Sequence, residues 1–243
     1  MPSLRSLQLM RTRDAVVREY LDEEGLDTDA LALNLRDIRR INQLLGWTTY
    51  TVHGVEAVVR ARHLRSFSLL DVASGSADMA LAIARWSRRK GIPARLVATD
   101  ISHQIVAVAR SQVALEPMIE VEQQDALDLR CADGSFDIVL CTLALHHFDP
   151  VSALRLLQSM ARVGATVLVY DVERSPLAYS GAVLLTRGLH MHAVTCHDAP
   201  ASVRRAYTAP ELRVLAEQAG LQNAQVRVGF PFRLALSAGR KVE

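Results

Sequence analysis

Short apolar runs alternate with longer amphipathic segments from Ser66 onwards. The runs SFSLLDV, RLVAT, MIEVE, DIVLCT and TVLVYD have the length and the β-branched content of strands. Segments with helical spacing, such as MALAIARWSRRKG and IVAVARSQVAL, lie between most of them. Because strands that alternate with helices form parallel sheets, the pattern predicts an α/β fold. The continuous apolar runs IVLC and VLVY indicate strands that are buried on both faces.

The pattern changes near the C-terminal end of the sequence. TAPELRVLAEQAG predicts a helix with Thr208 as its cap, Pro210 near its start and Gly220 at its end. AQVRVGFPFRLALSAG then predicts an antiparallel hairpin. We expect this hairpin to close the sheet.

Residues 1–65 precede the first strand and are interpreted as helical. Asp27 or Thr28 can cap a first helix, and a second amphipathic helix is predicted over residues 50–62. The apolar stripe of the first helix comprises Leu31, Leu35, Ile38, Ile41 and Leu45. We therefore divide the chain into an N-terminal helical cap and a core of residues 66–243.

Composition narrows the class of protein. A chain of 243 residues with 50% hydrophobic content can bury one substantial core. A net charge of +2 does not predict a nucleic-acid surface, and no apolar run reaches the 18 residues of a membrane span. The N-terminus lacks the apolar stretch of a signal peptide, and the three cysteines are interpreted as reduced thiols, so a cytoplasmic protein is expected.

The segment LLDVASGSAD, residues 69–78, carries the first chemical signal. It predicts a strand and a tight turn that opens a helix, and the next strand ends in Asp100. This arrangement is typical of α/β sheets that hold an adenosine-containing cofactor. A dinucleotide would need G-x-G-x-x-G, whereas Ala73 and Ala77 flank Gly75 here. A nicotinamide-dependent reductase is therefore the weaker alternative.

These residues resemble motif I of class I S-adenosylmethionine-dependent methyltransferases, and D-V-A-x-G-x-x-D is particularly similar to the ubiquinone/menaquinone methyltransferase group. The resemblance implies a Rossmann-like, doubly wound, mostly parallel sheet of seven strands. It also implies S-adenosyl-L-methionine as the cofactor and a small molecule as the methyl acceptor. A cationic sulfonium suits a pocket edged by carboxylates.

The resemblance assigns roles to particular residues of the cofactor site. Asp100 takes both ribose hydroxyls, Ile101 flanks the adenine, and Asp125 and Ala126 contact the adenine amino group. The implied cofactor-binding set is Asp71, Ala73, Ser74, Gly75, Asp78, Asp100, Ile101, Asp125, Ala126 and Thr142.

The segment FDIVLCTLALHHF resembles motif IV, which leads from the cofactor to the acceptor. Its Thr-Leu-Ala-Leu stretch replaces the D/N-P-P-Y of adenine and glutamine methyltransferases, which argues against those amine acceptors. In similar small-molecule enzymes, the first histidine faces the acceptor and is joined by an aspartate at the end of strand five. The matching residues are His146 and Asp171, a predicted general base and its orienting acid. The alternatives are that His146 only lines the pocket or caps the next helix.

The acceptor pocket is expected to include Trp47 and Tyr50 from the cap, together with His147 and His197. An insertion at about residues 172–207 is interpreted as a lid. A metal site there is the alternative, because the segment carries His190, His192, His197 and Asp198. We favour the lid and no metal. We expect Arg204 and Arg205 at the surface, and the alternative is that they bind an acidic group.

The sequence therefore predicts methyl transfer to a small metabolite of secondary metabolism. Oxygen of a phenolic, quinol or glycosidic compound is the expected acceptor. Carbon methylation of a quinone precursor and a non-catalytic S-adenosylmethionine-binding protein stay as alternatives. The oligomeric state is open, with a homodimer as one option.

Overall fold

The computed structural model describes residue 10 and residues 12–22 and 27–239, and these residues are built around one seven-stranded sheet. The strand order is β3-β2-β1-β4-β5-β7-β6, in which β7 is antiparallel to both of its neighbours. The strands are β1 (Phe67–Val72), β2 (Ala94–Asp100), β3 (Ile119–Gln123), β4 (Phe136–Thr142), β5 (Gly164–Val172), β6 (Gln222–Gly229) and β7 (Arg233–Gly239). The predicted mostly parallel sheet and its closing hairpin are confirmed.

Two helices precede the sheet and six accompany it. They are α1 (Thr28–Leu44), α2 (Trp47–Ala61), α3 (Asp78–Lys90), α4 (His103–Val113), α5 (Pro150–Val163), α6 (Pro176–Gly188), α7 (Ala193–Arg205) and α8 (Ala209–Gln218). Asp27 caps α1 by accepting from the backbone of Asp29 and Ala30, and Thr208 forms a capping box with Glu211 on α8. The predicted lid region consists of α6 and α7.

The two faces of the sheet bury different sets of side chains, because successive residues of a strand point to opposite sides. Leu70 and Val139 belong to the apolar cluster that also contains residues of α5 and α8. Leu69 and Ile138 belong to a second cluster, which contains residues of α2 and α3. The central strands are thus covered on both sides, as their continuous apolar runs predict.

The prediction that all of residues 1–65 are helical is wrong for residues 12–22. This segment, which we call the N-terminal strap, is irregular apart from one 3₁₀ turn at Tyr20–Asp22. The backbone N–H groups of Tyr20 and Leu21 donate to the Asp198 carboxylate of α7. These two N–H groups of the strap thus have a hydrogen-bond partner on α7 in place of the carbonyl partners that a helix would supply. The predicted helix over residues 1–9, 11 and 23–26 lies outside the described residues.

The sheet order reverses between β1 and β4. In open α/β sheets, ligands bind beyond the carboxyl ends of the strands at such a switch point. The ends of β1, β2, β4 and β5 meet at one edge of the sheet. Among the described residues, no helix combines the length and the apolar character needed to cross a membrane.

Arg174 fastens the chain just after this edge. Its guanidinium donates to Ala206 O at 2.6 Å and to the Glu211 carboxylate at 2.7 and 3.0 Å. The Arg174 side chain is almost entirely buried, and the guanidinium helps to hold the pKa of Glu211 below its usual value even though burial acts in the opposite direction. The contact joins the end of β5 to the start of α8.

Arg174→Ala is expected to lower the free energy of unfolding by about 2–4 kcal/mol, because it leaves a buried carbonyl without its donor and Glu211 without its partner. Urea unfolding followed by circular dichroism measures this loss. Arg187→Ala, at an exposed position of α6, is the control and should change stability by less than about 0.5 kcal/mol. Equal stability of the two variants would contradict the assignment.

Candidate functional site

The turn after β1 has a left-handed backbone at three positions. Ala73, Gly75 and Ala77 have φ values of 52°, 56° and 59°. Gly75 suits its position because this φ is unfavourable for residues with a side chain. Space is not the reason, since an added Cβ would meet no atom within 4 Å. The two alanines adopt the same region at some conformational cost. The turn therefore keeps its shape without the usual glycines.

Asp100 joins the tips of β1 and β2. Its Oδ2 accepts from the Gly75 N–H and its Oδ1 from the Ser102 N–H, both at 3.1 Å. Burial raises the pKa of the Asp100 carboxyl, although these two hydrogen bonds act in the opposite direction. The carboxylate stands beside the turn, where the resemblance places a ribose-binding acid.

Asp71 is almost completely buried at the end of β1. Its Oδ2 receives no hydrogen bond from the part of the chain that the structure describes. Burial is the main cause that raises the pKa of this carboxyl to about 7, and the nearby Asp78 and Asp100 carboxylates act in the same direction. A cationic ligand would relieve this cost, so the acids and the turn fit the positively charged S-adenosylmethionine.

Asp78 already has protein partners at the start of α3. Arg39 Nε of α1 lies 2.8 Å from its Oδ1, and Ser76 and Gln112 also donate to the carboxylate. Its role in cofactor binding stays a prediction. The structure instead shows that Asp78 fastens the helical cap to the core.

The other predicted cofactor residues line the same edge with different exposure. Ile101 is 64% exposed, which leaves its side chain open to a flat ligand. Asp125 is exposed and accepts from the Leu127 N–H, while the neighbouring Ala126 is buried. The hydroxyl groups of Ser74 and Thr142 are buried without a partner among the described residues. None of these observations assigns a contact to the cofactor.

His146 and Asp171 form a buried pair at the ends of β4 and β5. His146 Nδ1 lies 2.8 Å from Asp171 Oδ1, and the His146 N–H donates to Asp171 Oδ2 at 2.9 Å. Both side chains are at most 5% exposed. The carboxylate thus holds the backbone and the ring of the histidine together, as the motif predicts.

His147 faces two acids that the sequence analysis did not single out. Its Nδ1 lies 2.7 Å from Asp22 Oδ1, and its Nε2 lies 3.9 Å from Glu19 Oε2. Burial lowers the pKa of His147, but Glu19 and Asp22 outweigh it and raise the pKa to about 9. His147 is therefore an imidazolium at neutral pH.

Glu19 belongs to the N-terminal strap and is buried beside both histidines. Its Oε1 lies 3.6 Å from His146 Nε2. These three side chains, Glu19, His146 and His147, offer ligand atoms within 4.8 Å of one another, so among the described residues they are the group able to surround a metal ion. No local sequence signal distinguishes Glu19 from the other acids of its segment.

The prediction that Arg204 and Arg205 lie at the surface is wrong for Arg205. Its side chain is about one-tenth exposed and donates to His147 O at 2.6 Å and to the Asp22 carboxylate. The reason is that α7 packs against the strap, whose acids need a cation. Arg204 is less buried and pairs with Asp14 of the strap.

The predicted acceptor-lining residues fall into separate groups. Trp47 and Tyr50 pack beneath the Arg233 guanidinium, and Tyr50 also contacts Tyr170 edge to face. Tyr170 and Asp171 are consecutive strand residues and point to opposite faces of β5. The acceptor roles of Trp47 and Tyr50 stay predictions that these contacts do not support.

The histidines of the lid region do not converge. His192 caps α7, accepting from the Val194 N–H, and His190 is exposed. His197 binds Asp198 at 2.8 Å and stacks on Tyr20 of the strap. The metal alternative for these residues therefore has no support in the described structure, and His197 lies at the strap.

Known proteins resemble the chain in its central part. Residues 69–166 match the family described as a methyltransferase domain. A ubiquinone biosynthesis O-methyltransferase of Xanthomonas campestris is 32% identical over 134 residues, which cover 50% of this chain and 53% of that protein. A demethylmenaquinone methyltransferase of Porphyromonas gingivalis is 28% identical over 141 residues, or 56% of each chain.

A solved structure of the magnesium protoporphyrin IX methyltransferase of Synechocystis, with S-adenosylhomocysteine bound, shares the fold with a TM-score of 0.57 at 16% identity. That likeness covers 81% of this chain and 84% of the other. The predicted fold is confirmed, and the matched family is the one from which the methyltransferase activity and its cofactor were predicted. The chain spans about half the length of the curated relatives it matches.

If the predicted ribose role is correct, Asp100→Ala is expected to weaken S-adenosylmethionine binding by at least about tenfold, because hydrogen bonds to charged groups contribute about 1.5–3 kcal/mol. Isothermal calorimetry measures the affinity. Asp128→Ala, at an exposed position, is the control and should bind as the wild type does. Unchanged affinity in Asp100→Ala would exclude the ribose role.

Asp71→Asn tests the buried carboxyl through the pH dependence of stability. Because the folded-state pKa is raised to about 7, ionisation opposes folding, and the wild type loses stability as pH rises from about 4 to 7, by at most about 1.4 kcal/mol per unit. Asparagine cannot ionise, so the cofactor-free variant should gain on the wild type across this range. Urea unfolding at several pH values measures the difference, and parallel curves would disprove the shift.

Proposed function

We propose that the protein transfers a methyl group from S-adenosylmethionine to a hydroxyl oxygen of a small molecule, with His146 as the general base. The observation that carries this proposal is the buried His146–Asp171 pair at the edge that holds the cofactor acids. The proposal also covers the phenolic, quinol or glycosidic nature of the acceptor.

Asp171 prepares His146 for proton removal. A carboxylate on Nδ1 favours the tautomer in which Nδ1 carries the proton, which leaves Nε2 as the acceptor. The two Asp171 oxygens also accept from the N–H groups of His146 and Val172, so the acid cannot rotate freely. The ring is thereby held in one orientation, with Nε2 turned away from Asp171.

The cofactor residues supply the second half of the reaction. Asp71, Gly75 and Asp100 would hold S-adenosylmethionine, which supplies an electrophilic methyl group when it is bound. His146 would take the proton of the acceptor hydroxyl at Nε2, which makes the oxygen a better nucleophile. The burial of His146 keeps bulk water from competing with the acceptor.

Positive charge near the base supports an oxygen acceptor. His147 is an imidazolium at neutral pH, and the Arg205 guanidinium donates to His147 O. A phenolate or alkoxide that forms beside His146 would lie near these cations. The name of the relative from Xanthomonas campestris is consistent with oxygen as the acceptor.

Carbon methylation of a quinone precursor is the second candidate. It is favoured by the similarity to the demethylmenaquinone methyltransferase of Porphyromonas gingivalis. The same base could remove a hydroxyl proton and so increase the electron density of a ring carbon. Mass spectrometry combined with the NMR shift of the transferred methyl group distinguishes a methoxy product from a C-methyl product.

His146→Ala is expected to lower kcat by at least about 10²-fold, because general base catalysis contributes about 10²–10⁴-fold. S-adenosylmethionine affinity should change little. The measurement is S-adenosylhomocysteine release with a panel of phenols, quinols and glycosides. His190→Ala is the control, since His190 is exposed, and it should turn over the acceptor at the wild-type rate.

Turnover by His146→Ala at the wild-type rate would remove the base role while leaving methyl transfer intact. Wild-type protein that binds S-adenosylmethionine but releases no S-adenosylhomocysteine with any member of the panel would favour the non-catalytic alternative.

A further inference from the structure

His146 Nε2 and Glu19 Oε1 lie next to each other in the buried site. In the tautomer that the proposed base role requires, Nδ1 donates to Asp171 and Nε2 presents a lone pair. Glu19 Oε1 lies 3.6 Å from this nitrogen, which is beyond hydrogen-bond length. Glu19 Oε1 is fully buried and has no hydrogen-bond donor among the described residues. A buried carboxylate oxygen without a donor is costly, so the gap favours a ligand that brings donors.

The position of Glu19 is fixed from its other side. Ser202 Oγ donates to Glu19 Oε2 at 2.9 Å, and Arg205 Nη1 lies 3.5 Å from Oε1. Arg13 of the strap donates to the backbone oxygens of His146 and Phe148 at 2.7 and 2.8 Å. The strap is therefore held against the segment that carries His146 by contacts that do not depend on the Glu19 carboxylate.

We propose that Glu19 is an acceptor-binding residue that, together with His146 Nε2, receives two hydroxyl groups on neighbouring carbons of the acceptor. The inference rests on the proposed function and deepens it. Two such oxygens lie roughly 2.7 Å apart, about the length of an O–H···O hydrogen bond. Two donors at this spacing can each reach one of two acceptor atoms that are 3.6 Å apart.

The two hydroxyl groups have different fates. The first gives its proton to His146 Nε2, and its oxygen forms a bond to the methyl carbon while the carbon–sulfur bond of the cofactor breaks and leaves its electron pair on sulfur. The second keeps its proton and donates to Glu19 Oε1. The product is a monomethyl ether with a free hydroxyl group beside the new methoxy group.

This arrangement selects against a second methylation. When the monomethyl ether returns with its remaining hydroxyl group at His146, its methoxy oxygen faces the Glu19 carboxylate without a donor. A site built to bind a hydroxyl group rejects the analogue that lacks it, because its own polar atom is left unpaired. We expect the wild type to prefer the diol over its monomethyl ether by at least about 10²-fold in kcat/KM.

The test compares catechol with guaiacol, its monomethyl ether, in the wild type and in Glu19→Ala. In Glu19→Ala, the catechol preference should fall to less than about tenfold, mainly through loss of catechol turnover. Glu19→Gln keeps an oxygen acceptor and should retain part of the preference. Asp14→Asn is the matched control, because Asp14 ties the strap to Arg204 and does not face His146. It should leave the ratio unchanged.

A wild type that methylates both compounds equally, or a preference that survives in Glu19→Ala, would overturn the Glu19 assignment alone. The same holds for a divalent ion that co-purifies with the wild type and is lost in Glu19→Ala, because the carboxylate would then be a metal ligand. S-adenosylhomocysteine release from neither probe nor any member of the panel would instead contradict methyl transfer itself. Calorimetry of S-adenosylhomocysteine should give equal affinities in all variants, which shows that the cofactor half is intact.

Discussion

The parallel course of four strands is the constraint on which the site depends. Because β1, β2, β4 and β5 run in one direction, the residues that end them meet at one edge. Asp71, Asp100 and the His146–Asp171 pair therefore all lie along this edge. A strand in the opposite direction would remove its terminal residue from the edge, as β7 does with the residues that end it.

Several carboxylates are buried at this edge, which explains why cationic side chains lie close to some of them. Among the described residues no cation pairs with Asp71, and burial raises its pKa. Glu19 and Asp22 are compensated by Arg205 and by the imidazolium of His147. The two halves of the site therefore differ: cations of the protein lie beside the acids of the strap, although Glu19 Oε1 receives no hydrogen bond, whereas none of the described side chains supplies a cation to Asp71.

The sequence predicts the features that depend on near neighbours. Apolar periodicity predicts the strands, and the spacing of Asp71, Gly75 and Asp100 predicts the turn that the structure shows. The strap cannot be predicted from the sequence because its contacts are distant in sequence. Glu19 and Arg205 become neighbours only when α7 packs on the strap. The same reason made Arg205, a basic residue at the end of an amphipathic segment, indistinguishable from a surface residue.

The match to the methyltransferase domain divides the site in a similar way. Residues 69–166 include the cofactor turn and His146, whereas Asp171 and the whole strap lie outside them. The match therefore supports the predicted cofactor, but it carries no information on the groups that face Glu19. The strap, which carries Glu19, and α7 are joined by side-chain pairs rather than by a common sheet. Such pairs can change one at a time without any change in the strand order that forms the edge with Asp71 and Asp100.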